Sequence, residues 1–112
     1  MEKTLTIDGK QVTFKSTGAT PLRYKAQFGK DYFAEMLKLQ SLQALQGGDI
    51  KAIESIDFDA LYNMVWTLAK TADKTIPEPI EWLDGFDEFP LFEILPELQD
   101  LMAKSLQSSK KK

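Results

Sequence analysis

Residues 4–15 read TLTIDGKQVTFK, and the middle of that run decides much about the whole chain. Leu5 and Ile7 precede Asp8-Gly9, Val12 and Phe14 follow it, and both flanks alternate apolar with polar residues. Asp-Gly between alternating runs is the strongest short-range hairpin signal, because a two-residue hairpin turn needs positive φ at both positions and these residues tolerate it. A lone two-stranded hairpin is marginal in water, so its apolar face must lie on something else. The rest of the chain has to supply that cover, and it reads as helix.

Thr20 can cap a helix that begins at Pro21, where the missing N–H costs nothing and the fixed φ helps. Leu22, Tyr24 and Phe28 give this helix an apolar side. Glycine inside a helix costs about 1 kcal/mol relative to alanine. Gly29 instead suits the left-handed position that closes one helix, and Asp31 suits the cap that starts the next. Phe28-Gly29-Lys30-Asp31 thus reads as a corner between helices of residues 21–28 and 31–46. In the second of these, Phe33, Met36, Leu37, Leu39 and Ala44 share one broad face, Leu42 and Leu45 fall outside it, and Gly47-Gly48 stops it.

Asp57 is placed to cap a third helix, residues 57–75, with Ile56 and Leu61 as its hydrophobic staple. Phe58, Leu61, Tyr62, Val65, Leu68, Ala69 and Ala72 fall on one stripe, flanked by Met64 and Trp66. Pro77 and Pro79 make a rigid connector before a short turn over residues 80–83. In residues 90–107, Leu91, Ile94, Leu95, Leu98, Leu101, Met102 and Leu106 keep one phase across Pro96, which faces the other way. That pattern predicts one helix kinked at Pro96, or two stacked end to end. Residues 108–112 should form a polar, Lys-rich flexible tail. The predicted fold is mainly α, of the α+β class: an N-terminal β-hairpin over residues 4–15, then four or five helices, in one small domain over residues 1–107.

A chain of 112 residues can bury about 65% of the surface its unfolded form exposes, enough for one core. Fourteen basic against seventeen acidic side chains leave a net charge of -3, without the basic footprint of a nucleic-acid binder apart from Lys110-Lys111-Lys112. No apolar run approaches the roughly 20 residues that cross a bilayer, and Met1-Glu2-Lys3-Thr4 leads into no signal-peptide core. A cytoplasmic protein without nucleic-acid or membrane partners is expected. With no cysteine and no histidine, thiolate chemistry, the commonest general base and most zinc sites are gone. Carboxylate chemistry is what remains to an enzyme.

The acidic group Glu78, Glu81, Asp84, Asp87 and Glu88 is the one candidate for it, but Asp84-Gly85-Phe86-Asp87-Glu88 lacks the alternate-position spacing of a calcium loop and reads more simply as a solvated, helix-capping face. Gly47-Gly48-Asp49 is no phosphate loop, since no strand precedes it and no Gly-Lys-Ser/Thr follows. Arg23, Lys25 and Lys30 could hold an anion near Thr20, although an exposed helix of mixed charge needs none. Trp82, Phe86, Phe89 and Phe92 form the most aromatic stretch; such residues complete a core or anchor a partner. Leu42, Leu45, Met64 and Trp66, off the main stripes, divide evenly between those roles. The candidate partner-contact residues are therefore Leu42, Leu45, Met64, Trp66, Trp82 and Phe86, with no catalytic, cofactor or metal residue assigned.

Several of these motifs occur together in one family. Thr6-Ile7-Asp8-Gly9-Lys10 with Val12-Thr13-Phe14, then Ala19-Thr20-Pro21-Leu22-Arg23-Tyr24, Phe28-Gly29-Lys30-Asp31, and Glu81-Trp82-Leu83 with Phe86 make the chain resemble a tail assembly chaperone of long-tailed (siphovirus-type) bacteriophages and prophages of Gram-positive bacteria. The resemblance covers nearly the whole chain. It implies a non-enzymatic protein of the host cytoplasm, absent from the mature virion, that binds and solubilises the long helical tape measure protein and promotes polymerisation of the tail tube protein around it, with homo-oligomers open. It also implies a longer form made by programmed frameshifting; Lys110-Lys111-Lys112 is what an A-rich slippery sequence would encode, or else a tag or vector remnant. The alternatives are a structural tail or connector protein retained in the virion, and a small carboxylate-dependent, metal-using enzyme.

Overall fold

The computed structural model describes residues 2–37 and 58–110, with side chains up to Met102. Strands β1 (Glu2–Ile7) and β2 (Lys10–Lys15) pair antiparallel, with Leu5 opposite Val12 and Ile7 opposite Lys10. Asp8 and Gly9 form the turn at φ 54° and 75°, the conformation the sequence predicts. Period-2 geometry puts Lys3, Leu5 and Ile7 on the same face as Lys10, Val12 and Phe14. Ile7 and Phe14 are buried and Leu5 and Val12 are half-buried against the core, so the hairpin does lie on the helices. Lys3 and Lys10 close the two ends of that face, Lys3 by an ion pair to Glu97 at 3.1 Å and Lys10 by stacking on the Phe86 ring at 5.2 Å.

Helix α1 (Thr20–Phe28) starts one residue earlier than predicted, so Thr20 is not its cap. Ala19 occupies the cap position without a side-chain bond, and the Thr20 hydroxyl turns back to accept from the Thr17 N–H at 3.0 Å. That bond ties down the loop before the helix and draws Thr20 into the core. The buried line of α1 is Thr20 and Tyr24, continued by half-buried Phe28; Leu22, expected on it, is 74% exposed. Gly29 closes the helix at φ 72°, its N–H reaching the Lys25 carbonyl, and the Asp31 carboxylate accepts from the Phe33 N–H at 3.1 Å to open helix α2 (residues 32–37). The Phe-Gly-Lys-Asp corner forms as predicted. On α2 the fully buried side chains are Tyr32 and Glu35, while Leu37 is exposed, because the Tyr24 hydroxyl binds the Glu35 carboxylate at 2.8 Å inside the α1/α2 junction. The predicted remainder of that helix to residue 46, with its Gly47-Gly48 stop and the Ile56, Asp57 start of the next, lies outside the described residues.

Helix α3 (Phe58–Ala72) is the centre of the molecule, in contact with β2, α1 and both later helices. Residues 64–69 are all buried, so the helix has no solvent face there and the predicted one-sided stripe is too narrow. Two threonines make this affordable: the Thr67 hydroxyl donates to the Asn63 carbonyl and the Thr71 hydroxyl to the Thr67 carbonyl, so neither is buried unpaired. After α3 the chain is pulled back onto it, the Trp66 indole donating to the Pro77 carbonyl at 2.9 Å and the Lys70 ammonium to the Ile76 carbonyl at 2.7 Å.

Helix α4 (Pro79–Leu83) is a single turn whose buried residue is Trp82. Helix α5 (Leu91–Lys110) runs unbroken through Pro96. Pro96 is exposed, where water can serve the carbonyl that its missing N–H leaves unbonded. Leu91, Ile94, Leu95, Leu98, Leu101 and Met102 are buried as the periodicity predicts. The helix also continues through residues 108–110, where a flexible tail is expected from the polar sequence.

Candidate partner-binding groove

Of the six residues singled out as partner contacts, Leu42 and Leu45 lie outside the described residues. Met64 and Trp66 are 0% and 1% exposed, so neither forms a free surface: α3 is enclosed on every side at their level, and positions off the main stripe are still core. Trp82, with 8% exposure, and half-buried Phe86 belong to an aromatic cluster with Phe89, at centroid separations of 5.2, 5.6 and 5.4 Å. Tyr62 joins it through Phe89. The cluster sits under the hairpin turn, where the Asp8 carboxylate accepts from the Asp87 N–H at 2.8 Å and the Lys10 ammonium donates to the Gly85 carbonyl. This aromatic segment completes the core and anchors the hairpin; Phe92, paired edge-on with Phe58 at 5.8 Å, is the member left 55% exposed.

The acidic residues of the same segment divide between structural jobs and solvent. Glu78 accepts from the Gln27 amide at 2.6 Å, fastening α1 to the connector. Among the described residues no three carboxylates stand together in a way that could hold a metal ion. A hollow of about 460 Å3 between the hairpin and the end of α3 has Glu2 and Asp73 as its charged groups, so its field is unfavourable to anions. The Asp73 carboxyl is held below the ordinary aspartate range by the Thr75 hydroxyl, then by the Thr75 N–H, with slight opposing desolvation and a smaller pull from Lys70.

A different hollow has the opposite character. Because Thr20, Tyr24 and Phe28 face the core, the adjoining face of α1 presents Leu22, Arg23 and Gln27, together with Ala19 and Ala26. Opposite stand Trp66 and Lys70, one turn apart on α3. The two alanines offer only methyl groups, and a groove of about 410 Å3 remains between the helices. Trp66 lies beneath it, almost wholly covered, held by its bond to Pro77 and edge-on to Phe28 at 5.6 Å. Leu22 stands at its edge in solvent. Its charged groups are both cationic: Lys70 lies 5.8 Å from the Trp66 ring, and the Arg23 Nε is buried with no hydrogen-bond acceptor among the described residues. Arg23 is conspicuous in the sequence only beside Lys25 and Lys30, both of which are exposed; its real neighbour, Lys70, is distant in the chain.

No helix among the described residues is long and apolar enough to cross a membrane. Comparison of the chain with protein-family models, with curated proteins and with solved structures found no match.

Proposed function

We propose that this protein is a phage tail assembly chaperone, binding the tape measure protein to keep it soluble and helping tail tube subunits assemble on it. The observation that carries the reading is the α1/α3 groove, a preformed hollow with an exposed leucine at its edge and two cations along it, suited to binding a partner. Support also comes from the resemblance-bearing motifs, which occupy the hairpin turn, the α1 start and the α1/α2 corner. A tape measure protein would expose long amphipathic helices that aggregate when bare. A small acidic protein that covers such helices with modest contacts, repeated along one client, keeps the complex charged and gains avidity without a deep pocket.

Co-expression with the tape measure protein encoded near this gene should move that protein from the pellet to the soluble fraction. Mass spectrometry of purified particles should not detect this chain. Its abundance in virions would instead favour a structural tail or connector subunit.

A further inference from the structure

The groove's electrostatics run against those of the molecule around it. Among the described residues, a chain of net charge -3 lines this hollow with two cations and no carboxylate, its other walls being leucine, alanine, tryptophan and Gln27, whose amide is bonded to Glu78 just outside. Arg23 lines the hollow with its Nε sealed from solvent, so what it presents to a partner is the positive charge of its guanidinium. The Lys70 ammonium spends one donor on Ile76, which leaves it two. Arginine is also among the residues most enriched where partners bind tightly. A shallow hollow open to solvent between two helices suits a third helix laid along it.

We propose that the α1/α3 groove takes an amphipathic helical segment of a partner protein that carries an Asp or Glu at the border of its apolar face, the apolar side chains packing on Leu22 and on the Ala19 and Ala26 methyl groups and the carboxylate pairing with the Arg23 and Lys70 cations. This deepens the chaperone reading by naming the chemistry of the client segment. It rests on that reading only in taking the occupant to be a protein helix. The carboxylate selects which stretch of a client is bound, since an apolar segment without it brings no counter-charge to the two groove cations.

The test uses the full chain and two synthetic amphipathic peptides of about 18 residues, long enough to form helix. They are identical except for one Glu or Gln beside the leucine face. Calorimetric titration at low salt should show the Glu peptide binding at least tenfold more tightly, and high salt should erase most of that preference. In Arg23→Gln, whose fold is checked by circular dichroism, the two peptides should bind equally. In Leu22→Ser both should weaken together with the preference intact. Equal binding of the two peptides to the unmodified protein, or no binding, overturns the proposal without need of any variant, as does a preference that survives Arg23→Gln. Failure of the co-expression experiment with the peptide preference intact removes the phage assignment and leaves the groove chemistry standing; the converse removes the groove chemistry alone.

Discussion

At Gly29 the backbone alone explains the residue. Its φ of 72° is strained for side-chain-bearing residues, yet a Cβ built there meets nothing within 4 Å. The cost of replacing it is therefore conformational rather than steric. Gly29→Val should lower stability by about 1–2 kcal/mol or more, since a β-branched residue is least at ease in the left-handed region, while Gly29→Asn should cost only a fraction of that. Thermal melts of the pair check this; equal losses would point to a steric origin. Tyr24 makes a different kind of contribution. Its hydroxyl binds the Glu35 carboxylate where Glu35 is 2% exposed. Tyr24→Phe keeps the ring and its contacts with Phe28 and Tyr32 but removes that donor, and should cost about 1–3 kcal/mol in urea unfolding. Both residues stand in the corner that the sequence announces through Gly29 and Asp31. Glu35 does not, because a glutamate on a short helix looks solvent-facing until the neighbouring helix brings a tyrosine over it.

Elements were readable where local chemistry sets them and unreadable where neighbours do. The hairpin follows from Asp8-Gly9 and α5 from its leucine phase, both local patterns. The all-round burial of α3 does not show in its sequence, since Thr67 and Thr71 look polar until their hydroxyls are seen bonded to carbonyls four residues back. Met64 and Trp66 were misplaced for the same reason: a stripe describes one covering layer, and α3 has several. The groove was harder still, as it joins Arg23 to a lysine on another helix. At the C-terminal end of α3, the connector turn offers a pH test. Asp73 has its carboxyl lowered by Thr75, so its contribution is complete above the ordinary aspartate value and is lost as pH falls through the lower native value. Asp73→Asn should therefore flatten the acid-side decline of the urea midpoint and leave a difference from the parent near neutral pH. Parallel pH profiles would show that the turn bond has no such weight.

For the whole molecule, stability comes from one core to which the hairpin face and each of the described helices contribute. Leu98 is fully buried in it, and Leu98→Ala should cost about 2–5 kcal/mol, a large part of what a domain of this size has to spare, with broadened NMR signals on α3 as well as on α5. Losses confined to α5 would mean that the layers are separable. The hairpin turn adds a constraint in time. Asp8 is bound by the backbone of Asp87, a separation of 79 residues. At a synthesis rate of roughly 5–20 residues per second, about 4 to 16 s pass on the ribosome between the making of the turn and the making of its anchor. Until α3, which packs on β2, has followed, Leu5, Ile7, Val12 and Phe14 lack their cover, and until Asp87 is made the turn lacks its anchor. A protein proposed to shelter others thus begins life as a chain in want of shelter, and slowing translation should lengthen its exposure to ribosome-associated holdases.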